Sequence, residues 1–103
     1  MRRILITTAL VLLGGGAALA HFPILTPASP WGAVGRELPI TFTFGHPFEV
    51  ETAPAARPVR FTVLPPTQPP IDLLPLLGGA GQEQPAWRVA FTPRERGDHV
   101  VAL

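Results

Sequence analysis

In Glu37-Leu38-Pro39-Ile40-Thr41-Phe42-Thr43-Phe44, the apolar residues Leu38, Ile40, Phe42 and Phe44 fall on one face and Thr41 and Thr43 on the other. Period-two alternation over eight residues predicts a half-buried antiparallel strand. Pro39 cannot donate to a ladder, so it places the strand at a sheet edge or puts itself at the strand's beginning.

The same alternation recurs downstream. Residues 57–64 set Val59, Phe61 and Val63 against Arg60 and Thr62, and Pro65-Pro66 ends the run. Residues 86–92 set Trp87, Val89 and Phe91 against Arg88 and Ala90. Pro93-Arg94-Glu95-Arg96-Gly97 then reads as a tight turn, and residues 98–103 begin a further strand. Between the second and third of these strands, residues 65–85 are dense in proline and glycine and read as a long loop. Its leucines, Leu73, Leu74, Leu76 and Leu77, are expected to cap the open end of a sandwich or to dock on a partner.

Composition supports an all-β reading. The 103 residues include 14 Pro and 10 Gly but no Cys, Lys or Tyr. Proline removes a backbone donor and clashes inside a helix, so a helical bundle is excluded and short strands with proline-rich connections remain. Without cysteine there is no disulfide scaffold, thiolate metal site or cysteine nucleophile. A charged fraction of 15% excludes a basic nucleic-acid arm. The alternation and the cluster Phe91-Thr92-Pro93 with Gly97-Asp98-His99 point to an immunoglobulin-like antiparallel β-sandwich. In that fold an aromatic residue two positions after the glycine ties the corner to the strand. His99 holds that place, where tyrosine is usual. Four or five strands make only part of such a sandwich, and the pattern stops in mid-strand at Leu103. The expectation is an amino-terminal piece of a longer protein, or a chain truncated at the gene level.

The first 20 residues belong to a different reading. Arg2 and Arg3 precede an apolar run at 4–13, a glycine triplet at 14–16 and the small residues Ala18 and Ala20, the order of a secretory signal peptide. Ten residues are too few to span a bilayer, which takes about 20. Cleavage after Ala20 leaves residues 21–103, with six Arg against seven acids, and predicts a periplasmic or secreted domain.

That cleavage would make His21 the first residue. A free α-amine and an imidazole both lose their protons near neutral pH, and together they can chelate copper, nickel or zinc. The chain has only two other histidines, His46 and His99. His46 follows the first strand in Gly45-His46-Pro47-Phe48-Glu49, where Glu49 is a candidate ligand or hydrogen-bond partner of a ligand. The bland alternative is that His46 is an exposed turn residue and His99 a structural corner residue. Catalytic readings are weak. Ser29 is the single serine, with no nucleophile elbow around it. Glu49 and Glu51 could pair for glycoside chemistry but read more simply as a solvated strand end. Gly78-Gly79-Ala80-Gly81 lacks the lysine and context of a phosphate loop.

Three stretches, Ala20-His21-Phe22-Pro23-Ile24-Leu25-Thr26-Pro27, Ile40-Thr41-Phe42-Thr43-Phe44-Gly45-His46-Pro47-Phe48-Glu49, and Trp87-Arg88-Val89-Ala90-Phe91-Thr92-Pro93 with Gly97-Asp98-His99-Val100, resemble the NikM-like family. These are exported bacterial domains of unassigned function linked to nickel and cobalt uptake. The resemblance implies a non-enzymatic periplasmic β-sandwich that binds nickel or cobalt, with copper as a further option, and passes the ion to a membrane transporter. Carried over by position, His21, His46 and His99 are the candidate ligands, joined by Glu49. It spans nearly all of 21–103 but only the first part of the family's usual length. The alternatives are a copper carrier of the CopC type, which shares an amino-terminal histidine and is similar in Thr26-Pro27-Ala28, and a structural immunoglobulin-like module. Copper carriers often add methionine ligands, and Met1 is the only methionine here. Neither a nucleic-acid partner nor a small-molecule substrate is indicated.

Overall fold

The computed structural model describes residues 21–46, 51–80 and 86–103. The expected signal peptide and Glu49 lie outside the described residues, and Glu51 is placed by its backbone alone.

Eight short strands and one 3₁₀ turn make up the described chain. A five-stranded sheet contains β1 (Phe22–Pro27), β2 (Leu38–His46), β3 (Glu51–Ala53), β6 (Gly78–Ala80) and β7 (Ala86–Phe91). A three-stranded sheet contains β4 (Thr62–Leu64), β5 (Ile71–Asp72) and β8 (Val100–Ala102), with β4 in the middle. Every pairing is antiparallel.

The alternating stretch forms the interior strand β2, so Pro39 marks the strand's beginning and not a sheet edge. It pairs with β1 along one side, from Ile40 opposite Pro27 to Gly45 opposite Phe22. On the other side β7 takes 38–42 and β3 takes 44–46, so β3 continues in line beyond the end of β7. The period-two pattern does what it implies. Ile40 and Phe42 are buried with Val89 and Phe91 of β7, while Arg88 is exposed.

The two sheets face one another across a single apolar cluster. Ile40, Phe42, Val89 and Phe91 meet Phe61, Val63 and Leu73, with Ala55 beside them. Phe61 and Val63 have no exposed surface, which marks the centre of the core. Trp87 fixes the crossover between sheets, because its indole N–H donates to the Ala55 carbonyl at 2.9 Å. The Arg57 guanidinium lies 5.8 Å over the same ring.

Several expectations are corrected. The strand expected over 57–64 is regular only from Thr62, and Val59, expected inward, is 93% exposed. Pro58 removes one donor there, and four positions upstream Pro54 removes another. Residues 65–85 are not a plain loop, because 71–80 carry β5, the 3₁₀ turn Leu74–Leu76 and β6. Of the four leucines, Leu73 is buried and Leu74 and Leu77 pack against the core, whereas Leu76 is exposed. The last strand begins at Val100 and not at 98. Residues 22–27 form a strand that alternation does not announce.

Candidate functional site

Register brings two of the three histidines together. Phe22 lies opposite Gly45, so the preceding residue, His21, meets His46 at the end of β2. The ring centroids are 4.7 Å apart with the planes tilted by 45°. Phe44 supports the pair by stacking on His21 at 5.8 Å and 23°. Residues directly opposite, and those two positions along, share a face of a sheet. His46 therefore sits on the core-facing side of β2, in series with Ile40, Phe42 and Phe44.

Nε2 of His46 is buried and has no hydrogen-bond partner. A buried polar atom left unpaired costs about 1–3 kcal/mol. Such a nitrogen beside a second imidazole is a donor set that suits a transition metal. The α-amine of His21, if cleavage frees it, would add a third nitrogen on the same residue.

His99 stands apart. It packs on Phe91 with ring centroids 5.6 Å apart, and Phe91 pairs with Leu38 at the opposite end of β2. The eight-residue step from Leu38 to His46 spans roughly 26 Å at the rise of a strand. One ion cannot take ligands from both ends. Its Nδ1 lies 3.0 Å from the Gly97 carbonyl, which can only accept, so Nδ1 carries the proton. His99 is thus held to its own turn and packed against β7. Its Nε2 is also buried and unpartnered.

A cleft of about 990 Å³ opens at this second pole, floored by Leu25, Ile40 and Phe91 and edged by Glu95, Asp98 and His99. Glu95 is engaged locally. Its carboxylate accepts from the Thr67 hydroxyl and from the Thr67 and Gln68 backbone N–H groups. The Thr67 hydroxyl bond is the main reason its carboxyl is held below the usual range.

Among the described residues, no group of three or more His, Asp or Glu side chains gathers around a common point. No helix among them is long and apolar enough to cross a membrane. Glu49, the remaining candidate from sequence, lies outside the described residues. No protein-family model, curated protein or solved structure matches the chain.

Proposed function

We propose that the exported chain is a non-enzymatic carrier domain for a divalent transition metal, bound by the His21 and His46 imidazoles and the His21 α-amine. The observation that carries this reading is the 4.7 Å approach of two imidazoles at the start of the exported sequence, one of them with a buried, unpartnered nitrogen. Nickel or cobalt is the proposed cargo, as the NikM-like resemblance implies, and a membrane transporter the proposed recipient. The two-sheet arrangement and the His99 corner support an immunoglobulin-like sandwich as the scaffold. Copper(II) will bind more tightly than either ion in solution, because the Irving–Williams order favours it at any nitrogen site. Affinity therefore identifies the site and not the cargo.

The test is calorimetric titration of the secreted chain, its first residue confirmed by mass, with nickel and cobalt. His46→Ala should weaken binding by about tenfold or more. His99→Phe, at the opposite pole, should change it by no more than about twofold. Equal binding by wild type and His46→Ala would remove the metal reading and leave a structural module.

A further inference from the structure

We propose that the cleft at the pole opposite the histidine pair is a binding site for a small organic amine, an apolar body carrying a protonated nitrogen. Its volume of about 990 Å³ is that of a small-molecule site. The floor belongs to the core, because Ile40 and Phe91 line the cleft although only 2% and 6% exposed. Leu25 of β1 and Val101 of β8 flank it. Covering that surface takes it out of water, which favours an apolar ligand.

The remaining walls are irregular segments, and both are pinned. The 29–34 segment is closed off by the Ala28 N–H bond to the Pro39 carbonyl and the Gly35 N–H bond to the Pro93 carbonyl, each 2.8 Å. The 93–97 turn is tied to Thr67 and Gln68 through the Glu95 carboxylate and lies against Pro66 at Gly97. Walls fixed in this way stand before a ligand arrives, so binding does not have to order them. A β-strand is the less suitable occupant. β8 is three residues long, and Pro23 and Pro27 remove donors from β1.

Charge selects the head group. Glu95 and Asp98 edge the cleft, and Arg96 is the one lysine or arginine among the described residues that line it. The Thr67 and Gln68 donors hold the Glu95 carboxylate ionised. His99, in the same wall, spends its Nδ1 proton on the Gly97 carbonyl. In that tautomer Nε2 is an acceptor, and it is buried without a partner. Two carboxylates and an unmet acceptor favour a cation bearing N–H donors and oppose an anion.

The chain is titrated separately with phenethylamine, phenethyl alcohol and phenylpropionate, which share an apolar body and differ in head group. Nuclear magnetic resonance follows the Leu25 and Ile40 methyls and the His99 ring. Phenethylamine should shift all of these signals and bind about tenfold more tightly than phenylpropionate, with the alcohol between them. Asp98→Asn, at an exposed position, should narrow that ratio to about threefold or less. His46→Ala, at the other pole, should leave it unchanged. Equal binding of the three compounds, or no binding, overturns the proposal. So does binding that leaves the Leu25 and Ile40 methyls unmoved, which would be ion pairing on the surface. Binding that weakens as chain concentration rises would put a second copy in the cleft and would overturn it too.

Discussion

Gly97 holds φ at +118°, and a Cβ built there would come within 2.8 Å of the Pro66 side chain. Both the left-handed backbone and the contact exclude other residues, so the glycine sets the corner that presents His99. Gly97→Ala should cost about 1–3 kcal/mol of unfolding free energy by urea denaturation. A change below about 0.5 kcal/mol, the usual surface range, would mean that the turn relaxes freely. The bend that ends at Gly97 was readable from the stretch Pro93-Arg94-Glu95-Arg96-Gly97. The meeting of His21 and His46 was not, because it depends on the register of a strand that the sequence conceals.

Among the elements, β2 and β7 were legible because each buries one face and leaves the other half-exposed. β1 was hidden by Pro23 and Pro27, which break a strand pattern yet are tolerated where one edge is free. β5 and β6 are too short to show any period. Their positions are fixed by tertiary bonds, such as the Leu73 N–H to Phe61 carbonyl bond at 2.8 Å. A comparable long-range tie joins the 65–68 segment to the 93–97 turn through Glu95. Its carboxyl is held low chiefly by the Thr67 hydroxyl bond, then by the two backbone N–H bonds, with desolvation opposing. A depressed folded-state value means the charged form is favoured by folding. The contribution is therefore present above the ordinary value of 4.5 and is lost as pH falls through the lowered one. Glu95→Gln should flatten the acid-side decline of stability below about pH 5. An unchanged acid limb would show that the clamp does not contribute.

At the scale of the whole molecule, two sheets close around Phe61 and Val63 but leave a cleft flanked by β1 and β8. In the described chain β8 pairs with β4 alone, and Val100 is 57% exposed. Its strand carries no charge or proline to discourage pairing with another chain. Val100→Lys should alter stability by less than about 0.5 kcal/mol in urea denaturation, and a larger loss would mean that Val100 is packed more tightly than its exposure indicates. The same architecture separates the two poles, so the chemistry assigned to one end is independent of the cleft at the other. That separation was not visible in a sequence with only three histidines, since nothing local states which strand ends share a pole.

In the proposed site, His21 and His46 together hold one ion. Pulsed electron paramagnetic resonance of the chain prepared to begin at His21 and loaded with one equivalent of copper(II) counts coordinated imidazoles directly. Two equatorial imidazoles in wild type, falling to one in His46→Ala, is the predicted result. A single imidazole in both proteins would contradict it.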